Sequence, residues 1–285
     1  MDKAASINDW LGHTRQDEDE VVLGAVQRLA ATLDQDPQAF RRGSRLPESW
    51  YAILFGPLAR ESDLGPDGHP VTGDFMPPMQ GTRRMFAGRR STFHKPLAIG
   101  DTVTRRSTVS RVEPKSGRSG EFTLVTVIHE MSGPSGLAIT EEQDIVYRKA
   151  VEAGATEAPK EAPRVDEKPD WSHAIVLDTV LLFRYSALTF NAHRIHYDLP
   201  YTREREGYPA LVMNGGLTAL LLVETARPHL PRPIAGYAAR AIRPLFVDQR
   251  VTFNGRLTGD TAALWASGPD GGLNYRVDVT LAPAP

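Results

Sequence analysis

One stretch of this chain is written twice. His94-Lys95-Pro96-Leu97-Ala98-Ile99-Gly100-Asp101-Thr102-Val103-Thr104 is echoed, in register, by Ile242-Arg243-Pro244-Leu245-Phe246-Val247-Asp248-Gln249-Arg250-Val251-Thr252. Both copies carry a basic residue, a proline, a leucine, a short turn and then a β-type run. The residues after each copy are also alike. Glu121 to Ile128 and Ala138 to Tyr147 alternate and are rich in Val, Thr and Ile, and so are Ala262 to Ala266 and Tyr275 to Leu281. Alternation bounded by Gly, Pro and Ser is a strand signal. A shared order of elements at a fixed offset points to duplication.

Between the copies, residues 151–170 (VEAGATEAPKEAPRVDEKPD) are proline-rich and charged and lack aromatic residues. Such a stretch cannot bury enough apolar surface to order itself and reads as a linker. The expected organisation is a lobe over 1–150, the linker, and a lobe over 171–285. Each lobe has a helix candidate ahead of its strands. In the second, Gly216 to Arg227 is apolar almost all round and is stopped by Pro228, so it is expected to be buried on most sides. Glu224 within it requires a partner. In the first, Pro47 to Phe55 holds Trp50, Tyr51, Ile53, Leu54 and Phe55, which read as core. An amphipathic helix is expected earlier, over Glu20 to Leu33. One buried helix with an antiparallel sheet, occurring twice, is an α+β arrangement. A sheet curled around a central helix is the hotdog fold, here in double form.

Composition narrows the function classes. A formal net charge of -2 gives no reason to expect nucleic acid or an anionic membrane as partner. The absence of cysteine excludes disulfides, thiolate catalysis and Cys-ligated metals. No apolar run approaches the ~20 residues that span a bilayer. The opening residues lack a basic region followed by an apolar one, so a cytoplasmic location is the expectation.

The densest polar constellation is Phe183-Arg184-Tyr185-Ser186-Ala187-Leu188-Thr189-Phe190-Asn191-Ala192-His193-Arg194-Ile195-His196-Tyr197-Asp198. A second segment, Gly207-Tyr208-Pro209-Ala210-Leu211-Val212-Met213-Asn214-Gly215-Gly216, leads into the apolar helix. A histidine titrates near neutrality and can move a proton. A Gly-Gly turn at a helix start presents free N–H groups and the positive end of the helix dipole. Those groups can hold an oxyanion developing on a thioester oxygen. Taken singly, Gly215 and Gly216 could serve only a tight turn, Asp198 only a cap, and Arg184 and Arg194 only the surface. His193 and His196, with Asp198, have a spacing open to a metal, but no third strong ligand stands out, and no metal is expected.

The constellation resembles the signature of the MaoC-like (R)-specific enoyl-CoA hydratases, Ser-Gly-Asp-x-Asn-Pro-Leu-His, with Thr189 to His196 in register. More specifically, it looks like the type 2 hydroxyacyl-thioester dehydratases and the hydratases of mesaconyl-C4-CoA (3-methylfumaryl-CoA) and itaconyl-CoA. The first lobe shares Leu46-Pro47-x-x-Trp50, Asp67-Gly68-His69-Pro70, Pro77-Pro78, Arg84-Met85-Phe86-Ala87-Gly88 and Asp144-Ile145-Val146-Tyr147 with that group.

The resemblance implies a double hotdog whose second lobe alone keeps the catalytic residues, His196, Asn191 and Gly215. Tyr185, His193, Arg194, Asp198 and Asn214 are expected around the substrate. Asn191 stands where the wider signature has its catalytic aspartate. A neutral amide cannot take a proton, so His196 would carry the base role and Asn191 would orient the water. The implied activity is hydration of a short branched dicarboxylic enoyl-CoA to citramalyl-CoA. The alternatives are a fatty-acyl 3-hydroxyacyl-thioester dehydratase, a thioesterase and a non-catalytic acyl-CoA binder. CoA would be the substrate carrier, no cofactor is implied, and the chain would act as a monomer or homodimer. The far carboxylate of such a diacid requires a cation, for which Arg194 or Arg184 is the expected source.

Overall fold

The computed structural model describes residues 7–71, 75–79, 82–117, 120–149 and 163–284. The described part of the first half contains β1 (Thr14–Glu20), α1 (Leu23–Thr32), β2 (Thr82–Phe93), β3 (Thr102–Gly117), β4 (Gly120–Gly133) and β5 (Gly136–Lys149). The second contains β6 (Trp171–Val176), α2 (Thr179–Leu188), α3 (Leu199–Glu204), α4 (Gly215–Ala226), β7 (Ile234–Ala241), β8 (Arg250–Thr258), β9 (Thr261–Ser267) and β10 (Leu273–Leu281). All ten strands join one antiparallel sheet in the order β1-β3-β4-β5-β2-β7-β10-β9-β8-β6. The first five positions come from one half and the last five from the other, in mirrored order.

The duplicated segment occupies the same place in both halves. His94 to Asp101 joins β2 to β3, and Ile242 to Gln249 joins β7 to β8. Backbone bonds repeat around it. Leu97 O accepts from Leu46 N, as Leu245 O accepts from Met213 N. Gly100 N donates to Val21 O, as Asp248 N donates to Leu177 O. α1 therefore corresponds to α2, and the residues after Leu46 correspond to those after Met213.

That correspondence exposes an asymmetry. After Met213 comes α4, whose Leu217, Leu220, Leu222 and Val223 are almost wholly buried and which packs on β8, β9 and β10. Burying one such side chain contributes about 1.5–3 kcal/mol. After Leu46 comes only a 3₁₀ segment, Glu48–Ile53, with Pro47 at its start and no side-chain cap. The helix expected over Pro47 to Phe55 is thus a single tight piece. Phe55 has positive φ and Pro57 comes two residues later, so the helix cannot propagate. Trp50, Tyr51, Ile53 and Leu54 are core, as expected.

Glu224 on α4 finds its partners in the first half. It accepts from Gln35 Nε2 at 3.0 Å and Ser49 Oγ at 3.1 Å and pairs with Arg227.

One further expectation is corrected. The helix over Glu20 to Leu33 begins only at Leu23, because Asp17 to Glu20 belong to β1. This acidic strand is held at the sheet edge by opposite charge: Asp17 lies across from Arg105 and pairs with it at 2.8 Å. Of the expected linker, 151–162 lie outside the described residues. The remainder runs along the second half, where Pro163 O accepts from Leu273 N and Asp170 N donates to Gly255 O.

The halves meet where β2 pairs with β7, Gly88 opposite Arg240 and Gly236 opposite Thr92. A Cβ on Gly88 would lie 2.6 Å from Ala239 O, and one on Gly236 would lie 2.7 Å from Ser91 O. Only glycine lets the strands approach this closely. Gly88→Val and Gly236→Val are each expected to destabilise the protein by about 1–3 kcal/mol, as overpacking does. Denaturant unfolding measures this, and an unchanged midpoint would refute it.

Candidate active site

His196 closes a 3₁₀ turn, Arg194–His196, between α2 and α3. The turn is fixed to the strand-like approach of α4, since Val212 N donates to Ile195 O. The His196 ring is buried, at 7% exposure, and its Nδ1 lies 2.7 Å from Val212 O. A carbonyl can only accept, so Nδ1 carries the hydrogen and Nε2 the lone pair. Burial pushes the His196 pKa down to about 4, against the opposing effect of the Val212 bond. At neutral pH the ring is an uncharged base.

Asn214 links that base to the start of α4. Its Oδ1 caps the helix, accepting from Gly216 N at 2.8 Å and Leu217 N at 3.3 Å. The cap fixes the amide orientation, so Nδ2 faces His196 Nε2 at 3.5 Å. Thr218 N is satisfied by Asn214 O. The cap takes the N–H groups of Gly216 and Leu217, and Gly215 N–H has no partner among the described bonds. It has the helix dipole behind it and the histidine beside its cap, which is the placement an oxyanion hole requires.

The glycines are required by close neighbours. A Cβ on Gly215 would stand 3.2 Å from Phe86, and one on Gly216 would stand 2.9 Å from the Tyr185 hydroxyl. Tyr185, on α2, is buried, and burial pushes its pKa up to about 12. It remains a hydroxyl donor at any working pH.

The other expected site residues divide. Asn191 Oδ1 accepts from His193 N at 3.0 Å, closing a turn after α2. The His193 ring lies between His196, at 5.4 Å, and His69, at 4.1 Å between centroids. Asp198 and Arg194 are committed to each other. Asp198 Oδ1 caps α3 through Tyr201 N, and Oδ2 takes Arg194 at 2.6 Å. Arg194 also donates to Pro66 O and covers the Tyr201 ring. Arg184 is exposed and donates to Ala31 O. The two arginines expected to meet a substrate carboxylate are thus occupied in joining the catalytic segment to the first half. A cleft of about 580 Å³ borders Arg194, Asp198 and Tyr201, but neither His196 nor Gly215 lines it.

His69 was not among the expected site residues, although its Asp67-Gly68-His69-Pro70 run is part of the resemblance. Its Nδ1 lies 2.9 Å from Asp67 Oδ2. Burial would raise the Asp67 carboxyl, but the hydrogen bond and charge of His69 outweigh it and hold the pKa down to about 2. Asp67, His69 and His193 bring ligand-type atoms within 4.8 Å of one another, so they, rather than His193, His196 and Asp198, are the group with metal-like geometry. His69 Nδ1 is, however, already spent on Asp67. Chain separation hid this neighbourhood, since the loop and the catalytic segment lie far apart in sequence.

The chain as a whole is similar to known proteins. A family model described as hydroxyacyl-thioester dehydratase type 2 matches residues 50–247, which reach into both halves. The chain belongs to that family. A mesaconyl-C(4)-CoA hydratase of Chloroflexus aurantiacus is 44% identical over 272 residues, covering 95% of this chain and 96% of the relative. Among solved structures, a MaoC-like dehydratase superposes with a TM-score of 0.72 at 16% identity, covering 98% of this chain and all of the other. A Mycobacterium tuberculosis protein described as a double hotdog superposes with a TM-score of 0.54 at 15% identity, covering 95% of this chain and 96% of the other. The fold is the double hotdog, and the chain is a hydro-lyase of the hydratase and dehydratase type. Among the described residues, no helix is long and apolar enough to cross a membrane.

Within this dehydratase-family fold, Gly68 of the first half lies tightly against Ala192 of the catalytic segment. Its φ is +86°, and a Cβ there would lie 1.9 Å from Ala192 O. Gly68→Ala is expected to displace the His69 loop from the catalytic segment and reduce kcat/KM at least tenfold. Steady-state kinetics with an enoyl-CoA would show it, and wild-type activity in the folded variant would contradict it.

Proposed function

We propose that the chain hydrates a short branched dicarboxylic enoyl-CoA to citramalyl-CoA, with mesaconyl-C4-CoA preferred to itaconyl-CoA. The observation that carries this is the pairing of a neutral His196 Nε2 with the partnerless Gly215 N–H through the one side chain of Asn214. In mesaconyl-C4-CoA the double bond is conjugated with the thioester, and the β carbon bears the methyl and the carboxylate. The thioester oxygen rests on Gly215 N–H, with Asn191 helping to orient the water. His196 Nε2 takes a proton from that water as its oxygen bonds to the β carbon. The π electrons move onto the thioester oxygen as an enolate. The proton then passes from the imidazolium to the α carbon, and the ring is neutral again. The name of the C. aurantiacus relative supports this choice of substrate.

The family description favours a second reading, dehydration of a 3-hydroxyacyl thioester. The same residues serve it in reverse, with water leaving. In either reading the partner is an acyl-CoA, the location is the cytoplasm, and the chain acts as a monomer or homodimer without a cofactor.

Incubation with mesaconyl-C4-CoA, itaconyl-CoA and crotonyl-CoA, with products read by mass spectrometry, tests the reading. Citramalyl-CoA should form, and His196→Gln should reduce its formation by roughly 10²- to 10⁴-fold. Turnover of straight-chain enoyl-CoAs alone would replace the reading with the second. Silence on all three would leave an acyl-CoA binder.

The pH dependence is a further test. With its pKa at about 4, His196 is the neutral base from about pH 5 upward, and kcat/KM should stay flat to about pH 8. It should fall only as pH drops through about 4. Stability has the same sign: the unfolded imidazole takes a proton near 6.5 while the folded ring does not, so stability declines as pH falls from there toward 4. An acid limb of activity near pH 6.5 would contradict the assignment.

A further inference from the structure

With Arg194 and Arg184 occupied elsewhere, the cation beside the start of α4 is Arg89, on β2 of the first half. Its Nη2 lies 3.8 Å from where a Cβ on Gly216 would stand, next to the Tyr185 hydroxyl. Its side chain is only 14% exposed. Its neighbours do not use all of its donors. Nη1 reaches Glu141 at a long 3.3 Å, and Nε is buried without a hydrogen-bond partner. The Tyr275 hydroxyl is likewise buried without a partner, and the Tyr275 ring lies 3.7 Å from a Cβ placed on Gly215. An unsatisfied buried polar group is costly, and two of them around one helix start call for a ligand.

Nearby cations are spent. Arg90 is held by Glu142 and Asp144, and Arg105 by Asp17. Glu141 is the charge partner of Arg89, and its Oε2 also accepts from the Tyr51 hydroxyl. In the duplicated frame, which makes Gly88 the equivalent of Gly236, Arg89 corresponds to Tyr237. The cation thus belongs to only one of the two halves.

We propose that Arg89 receives the free carboxylate of the acyl group, with the Tyr185 and Tyr275 hydroxyls beside it, and is the residue that selects diacid over neutral thioesters. This rests on the reading of the substrate as a diacid monothioester. The carboxylate of such a substrate sits on the β carbon, trans to the thioester across the double bond and two carbons from the carbonyl held at Gly215. A guanidinium beside Gly216 is placed to meet it. The half that lacks the catalytic histidine then supplies the specificity.

The test is binding, so that it does not depend on turnover. Succinyl-CoA and butyryl-CoA share a chain and differ by the carboxylate. Calorimetric titration of the full-length protein should give succinyl-CoA on the order of 10- to 100-fold tighter binding. In Arg89→Met that ratio should fall to about one, and Arg89→Lys should keep part of it. A wild-type ratio near one, or a ratio that survives in Arg89→Met, would overturn the proposal. Where Arg89→Met does not fold, Arg89→Lys decides: a reduced ratio is expected, and an undiminished one would overturn the proposal. A succinyl-CoA preference that depends on Arg89, without hydration of mesaconyl-C4-CoA, would remove the hydratase reading and leave this assignment. Hydration without the preference would do the reverse.

Discussion

The pairing of β2 with β7 is the contact on which the rest of the molecule depends. The five-stranded sheet of each half has two edges, and an unpaired edge strand presents a row of unsatisfied N–H and C=O groups. Here β2 and β7 close one edge of each half, and the ten strands run continuously across the seam from β1 to β6. The seam also sets the chemistry in place. It brings Phe86 and Arg89 of β2 against Gly215 and Gly216 at the start of α4. Gly88 and Gly236 permit that approach, since a side chain at either position would meet the opposing strand's carbonyl.

Within this frame the duplicated halves have diverged in one element. The second keeps a full buried helix whose capped start leaves a free N–H. The first keeps a 3₁₀ segment whose N-cap, Pro47, has no capping side chain where Asn214 caps α4. The catalytic apparatus sits with the helix. The base, His196, is fixed by Val212 O on one nitrogen and faces Asn214 with the other. Its tautomer, orientation and neutrality all result from burial and from two bonds, before any substrate arrives. The halves are further joined around this point by Gly68 against Ala192, by Arg194 against Pro66 and by Glu224 with Gln35 and Ser49.

Much of this was legible in the chain. The twin Pro-Leu segments identified the duplication because a connection between strands must satisfy the same backbone bonds in both halves. The apolar run after Gly215-Gly216 identified α4, and the dense polar segment identified His196 as the candidate base, a role that its burial and tautomer support. Other features were illegible for physical reasons. β1 is acidic and owes its strand state to Arg105 across the sheet, a tertiary effect that local propensity cannot report. Pro47 to Phe55 carries the hydrophobic content of a helix but not the backbone freedom. Arg194 and Asp198 looked like binding residues because they sit beside His196, yet four residues apart they meet each other. Arg89 and His69 lie about a hundred residues or more before the catalytic segment, and only the seam brings them near it.

The central claim is that the thioester binds across the seam, with its oxygen at the head of α4 and its β carbon at the histidine. A crystal structure of the His196→Gln variant with mesaconyl-C4-CoA tests it most directly. The account predicts the thioester oxygen within hydrogen-bond distance of Gly215 N and the β carbon facing the side chain at position 196. An acyl group lodged instead in the cleft beside Arg194 and Tyr201, with Gly215 N–H unengaged, would contradict it.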